Sequence, residues 1–88
     1  MSHLIRFKAK VLSNYRILIP KALVTRNQLW IGRKIGVIYR NGSEYERFEA
    51  TIKSWFSFTI PFRSRINSRL KPREYTEFEI GLIDSGPS

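Results

Sequence analysis

The chain has 88 residues, with 16 Lys and Arg against 7 Asp and Glu, a formal net charge of +9 and an isoelectric point near 10.5. That size allows one small domain, whose core a β-barrel or an oligomer would help to close, and the absence of cysteine excludes a disulfide framework and a thiolate-ligated metal. No apolar run reaches the length of a membrane span and no signal peptide is visible at Met1-Ser2-His3, so the expectation is a cytoplasmic, soluble protein with a polyanionic partner, most often nucleic acid.

The first element in chain order is a strand. Ile5, Phe7, Ala9 and Val11 alternate with Arg6, Lys8 and Lys10, which predicts a half-buried strand with a basic outer face. Ser13-Asn14 reads as a tight turn and Tyr15–Ile19 as a second short strand. Pro20 opens a helix expected to run to about Gln28, because proline's missing N–H has no partner in the first turn. Leu29, Trp30 and Ile31 are expected to pack inward, Gly32 to break the helix, and Ile35–Tyr39 to form a third strand ending at the Asn41-Gly42 turn.

The pattern then restarts. Shifting the chain by the 41 residues between Pro20 and Pro61 aligns Arg6/Arg47, Phe7/Phe48, Ala9/Ala50, Ser13/Ser54, Ile19/Ile60 and Leu29/Leu70 as identities, and Val11/Ile52, Tyr15/Phe56 and Ile17/Phe58 as similar pairs. Repeat one is placed at about 4–41 and repeat two at about 45–83, with 84–88 as a flexible tail. In the second helix Phe62, Ile66 and Leu70 form an apolar stripe, Arg63, Arg65 and Arg69 lie off it, and Lys71-Pro72 ends it. Phe78, Ile80 and Leu82 mark the last strand. The charge divides by halves. Residues 1–43 hold nine basic residues and no acid, whereas residues 44–88 hold seven of each. An anion is therefore expected mainly on the first half.

Two copies of strand, turn, strand, Ile-Pro, helix, strand resemble the AbrB/SpoVT family of swapped-hairpin transcription factors. The resemblance rests on Tyr15-Arg16-Ile17-Leu18-Ile19-Pro20-Lys21 with its flanking strands. It covers about residues 5–40, and 46–83 more weakly, and Tyr15 stands where the family has glycine. It implies a mostly β fold with two short helices, a small swapped-hairpin or double-psi-like β-barrel built from two repeats in one chain. Strand interleaving stays open between those two forms, as does the choice of a monomeric pseudo-dimer or a homodimer.

The resemblance also implies binding of double-stranded DNA. Carried over by position, Arg16 is the turn arginine, with Lys8 and Lys10 on the basic strand face leading to it. Val24 and Thr25 replace the family's helix arginines, which leaves Lys21 and Arg26 on the first helix. In the second copy Ser57 replaces the turn arginine, but Arg65 matches a helix position, with Arg63 and Arg69 beside it. The competing reading of each is a solvated basic residue. Arg6 and Arg47 could equally be structural partners of Glu44, Glu46 or Glu49. Trp55 and Phe56 are expected in the core, and RNA or single-strand binding is favoured only if Trp55 is exposed.

No catalytic constellation is visible. His3 is the one histidine, and no nucleophile–base pair, metal-ligand spacing or phosphate-cradling glycine loop occurs. The expectation is a DNA-binding regulator, not an enzyme, with no cofactor, no metal, no small-molecule substrate and no membrane partner. The alternative is a protein-interaction module, antitoxin-like or an adaptor, whose acidic partner reads the same basic face.

Overall fold

The structure, a computed structural model, describes residues 4–83; the expected tail at 84–88 and His3 lie outside them. Eight elements follow in order: β1 (Leu4–Lys10), β2 (Arg16–Leu18), α1 (Lys21–Arg26), β3 (Lys34–Asn41), β4 (Glu44–Thr51), β5 (Ser57–Thr59), α2 (Phe62–Ser68) and β6 (Tyr75–Leu82). The fold is mostly β with two short helices. Its strands form a four-stranded antiparallel sheet, ordered β1-β6-β3-β4, and a two-stranded ribbon of β2 and β5.

Alternation sets the faces. Ile5 and Phe7 on β1, Ile35, Val37 and Tyr39 on β3, and Thr76, Phe78 and Ile80 on β6 are buried, while Arg6, Lys8 and Lys10 project from the other face. The ribbon covers the buried face through Ile17 and Phe58, both fully buried. Phe58 meets the Phe78 ring edge-on at 5.9 Å and the Phe48 ring at 6.2 Å, contacts that add to the burial of three large apolar groups.

The second four elements repeat the first four at a constant offset. β2 at 16–18 maps onto β5 at 57–59, and β3 at 34–41 onto β6 at 75–82, each 41 residues on. Ile38 lies opposite Glu79, and Ile17 opposite Phe58; both pairs are also 41 residues apart. A pseudo-two-fold axis therefore passes through both pairs. The outer pairs obey it, since Leu4 faces Gly81 as Tyr45 faces Arg40. The corners that stitch sheet to ribbon obey it too. The Val11 N–H donates to Glu74 O at 2.9 Å, as the Ile52 N–H donates to Arg33 O at 2.9 Å. Every ladder, β1·β6, β3·β4, β3·β6 and β2·β5, joins one half to the other. Neither half pairs strands with itself.

Several local expectations are corrected. The strands before Ile-Pro are three residues long, and each helix starts just after its proline, which holds the N-cap position at φ −55° (Pro20) and −59° (Pro61). Helix α1 ends at Arg26, because Gln28 turns to φ +51°; its repeat equivalent Arg69, at φ +53°, ends α2. Leu29 is buried, but Trp30 and Ile31 are each 54% exposed, since the chain turns outward there to bond Gly32 to Ile52. Of the apolar stripe expected on α2, Leu70 is buried in the core just past the end of the helix, and the other two residues face solvent. Phe62 and Ile66 are exposed, and the helix instead buries Ser64 and Ser68, which Tyr39 requires as hydrogen-bond partners. Trp55 is 81% exposed at a hairpin tip, because Phe56 takes the inward position equivalent to Tyr15.

Candidate nucleic-acid interface

Folding rearranges the charge. The four strands of the large sheet carry six basic residues and five glutamates, net +1. The rest of the described chain carries ten basic residues and one acid, Glu74, net +9. These ten are Arg16, Lys21, Arg26, Arg33, Lys53, Arg63, Arg65, Arg69, Lys71 and Arg73, on the ribbon, the helices and their connections. The halves interleave, so first-half cations on β1 lie beside second-half glutamates on β6. Arg6 Nε sits 3.3 Å from Glu79 Oε1, and Lys8 is directly opposite Glu77. Arg6 thus pairs with Glu79 and not with the glutamates of β4.

Six of the eight expected DNA-binding residues lie in this layer of ribbon, helices and connections: Arg16, Lys21, Arg26, Arg63, Arg65 and Arg69. Lys8 and Lys10 lie apart from them, on the outer face of the sheet. Only four of the layer's ten cations come from the first half, so the separation by halves is not the separation in space. The residues that sequence reasoning missed are Arg33, Lys53, Lys71 and Arg73. What places them there is tertiary: the segment after each helix bonds to the hairpin of the other half, through Gly32 to Ile52 and Arg73 to Val11.

Local geometry holds some of these groups firmly. The turn before Arg16 is closed by its own N–H donating to Asn14 Oδ1 at 3.2 Å, an Asx arrangement suited to the tip. Arg16 then stands on β2 opposite Thr59, one residue from the pseudo-axis. Arg65 is the most anchored. Its Nε donates to Ile60 O at 2.8 Å, and its guanidinium carbon lies 4.4 Å from the centroid of the Tyr15 ring. That stacking joins α2 of one half to the hairpin of the other, and leaves further N–H donors of the guanidinium for a ligand. Arg63 and Arg69 are exposed on either side of it.

Beside this cluster, Tyr15, Phe62, Ile66 and Leu70 line a shallow groove of about 350 Å³ rimmed by Arg65, Arg69 and Lys71. Among the described residues, no group of three or more His, Asp or Glu could hold a metal ion, and no helix is long and apolar enough to cross a membrane.

No protein-family model matches the chain, and no curated protein matches it. Among solved structures it is similar to the solution structure of PHS018 from Pyrococcus horikoshii. The TM-score is 0.72 at 23% identity, over 92% of this chain and 95% of that one. The likeness shows a shared fold over nearly the whole length of both chains.

Proposed function

We propose that the chain binds double-stranded DNA through its ribbon-and-helix layer, as a small cytoplasmic regulator of the AbrB/SpoVT kind. The observation that carries this reading is the charge partition, net +9 on that layer against +1 on the sheet. Ten cations on the ribbon, the helices and their connections, with a single carboxylate among them, favour a polyanion, and a phosphate backbone that neutralises them releases counterions. Arginines at the ribbon and α2 supply the bidentate donors that read guanine in the major groove. The interleaved halves already form a pseudo-dimer, so one chain is the binding unit. Ser57 replaces the second turn arginine, so the two ends of its face differ and a strict palindrome is not its best site. The role is binding, with no catalytic step.

Fluorescence anisotropy with random duplex DNA over a salt series tests this. Binding should weaken steeply with salt, and Arg16→Ala and Arg63→Ala should each reduce the log–log slope by about 1 if they contact phosphate. Absence of binding at low ionic strength would overturn the proposal. The second reading, docking of an acidic protein, is favoured by the groove of Tyr15, Phe62, Ile66 and Leu70 with its cationic rim. A chain that fails to shift duplex DNA at low salt, yet binds an acidic peptide with apolar anchors, would favour that reading.

A further inference from the structure

One end of the molecule is aromatic where its symmetry mate is polar. Trp55 tops the loop Ser54–Phe56, closed by the mutual hydrogen bonds of Lys53 and Ser57 at 2.7 and 3.2 Å. Trp30 lies on the segment that bonds to the base of the same hairpin: the Gly32 N–H donates to Ile52 O at 2.7 Å. The repeat equivalents at the other end, 41 residues away, are Asn14 for Trp55 and Lys71 for Trp30.

Stability does not account for the Trp55 ring. Trp55 is 81% exposed, so it contributes little burial, and its φ of +63° places a bulky side chain in the left-handed region at a cost of about 1–2 kcal/mol. Asparagine, as at position 14, suits such a turn better. Trp30 is 54% exposed, with the Arg33 guanidinium carbon 4.1 Å from its ring centroid. Lys53 adds a cation at the base of the hairpin. Chain lengths of two and three residues from the Gly32–Ile52 bond keep the two tryptophan Cα atoms within about 24 Å. That is within the span of one short single strand, given site sizes of about 4–16 nucleotides for known single-strand binders.

We infer that this end is a stacking platform for unpaired bases: Trp55 and Trp30 take base faces, while Arg33 and Lys53 hold the adjoining phosphates. Every base offers a π-face, so the platform is tolerant of sequence. It shares Arg33 and Lys53 with the cations proposed for the duplex, but Trp55 lies across the pseudo-two-fold axis from the Asn14–Arg16 turn, and the platform rests on the reading of the chain as a nucleic-acid binder.

The test is titration of the full chain with single-stranded dT12 and U12, read by quenching of tryptophan fluorescence and by anisotropy of labelled strands, beside a 12-base-pair duplex. Trp55→Asn, which suits the turn, should weaken both single strands roughly five- to a hundredfold. Trp55→Tyr should restore most of that affinity, and Trp30→Ala should weaken it as Trp55→Asn does. Duplex affinity of the Trp55 variants should stay within about twofold of the parent, as expected for a π-contact off the duplex site. Equal single-strand affinity for the parent and Trp55→Asn overturns the platform. Duplex binding by a parent that ignores dT12 and U12 also overturns it, and leaves the duplex proposal standing. Failure of the parent to bind any of the three overturns both.

Discussion

Tyr39 ties the sheet to α2. Its hydroxyl donates to Ser64 O at 3.0 Å and shares a 2.8 Å hydrogen bond with Ser68 Oγ, while the ring packs 5.6 Å from Phe78. Burial pushes the phenol above its ordinary value of 10.0, and Glu46 across the ladder adds to this, while the Ser68 hydrogen bond and Arg65 pull the other way. A raised phenol pKa means that the unfolded chain loses this proton first. The stabilisation is therefore complete below about pH 10 and is lost as pH rises through the folded value. Tyr39→Phe should cost about 1 kcal/mol at pH 7. The loss is held there because Ser68 keeps its own 2.7 Å bond to Ser64 O. Urea melts at pH 7 and at pH 10.5 check both parts: the difference between parent and variant should shrink at the higher pH.

At the scale of elements, α2 inverts the usual pattern. Its solvent face carries Phe62 and Ile66, and its buried face carries Ser64 and Ser68, four residues apart. The helix packs against β4, and small hydroxyl residues leave room for the Tyr39 side chain and for the Asn41 amide, which donates to Ser68 O at 2.7 Å, to reach it from β3. Ser68→Leu should therefore destabilise by roughly 1–3 kcal/mol through overpacking and loss of the hydroxyl. Ile66→Lys should stay within about 0.5 kcal/mol of the parent. Thermal denaturation of the two variants checks this, and the reverse ranking would mean that α2 packs through its apolar stripe. The equivalent positions in the first half are Leu23 on α1 and Asn27 at its C-cap, and no residue of that helix is fully buried. The two halves share a fold and differ in how tightly each helix is held.

The whole molecule is held by pairings between halves. Each of the four ladders crosses from residues 4–41 to residues 44–82. A half on its own keeps its turns and loses all its ladders and the ring contacts that cross between halves, Phe7 with Phe78 and Tyr39 with Phe48 and Phe78. Residues 1–43 alone should accordingly be unfolded as a monomer, and gain structure only by pairing with themselves or with residues 44–88. Circular dichroism with sedimentation checks this: equimolar fragments should regain β structure as a 1:1 complex. A monomeric, cooperatively folded half would contradict the interleaved topology.

Strand positions, the Ile-Pro helix starts and the 41-residue repeat were all determined by the sequence, because each depends on nearest neighbours: alternation decides a strand's face, and proline decides where a helix can begin. Core residues such as Phe7, Ile19 and Ile60, and Phe48 packed against them, were legible for the same reason, since both copies place an apolar group at the same step. The tertiary structure alone decided which strands pair. Partners such as Leu4 and Gly81 lie at opposite ends of the chain, and no local signal links them. That pairing set the β6 glutamates beside the β1 cations and left the positive charge on the ribbon and helices. It also gave Tyr39 its serine partners, left Phe62 and Ile66 of the α2 stripe outside, and left Trp55 in solvent once Phe56 had filled the inward place. Local periodicity determines what can be buried; which candidates are buried depends on the surface that arrives opposite them.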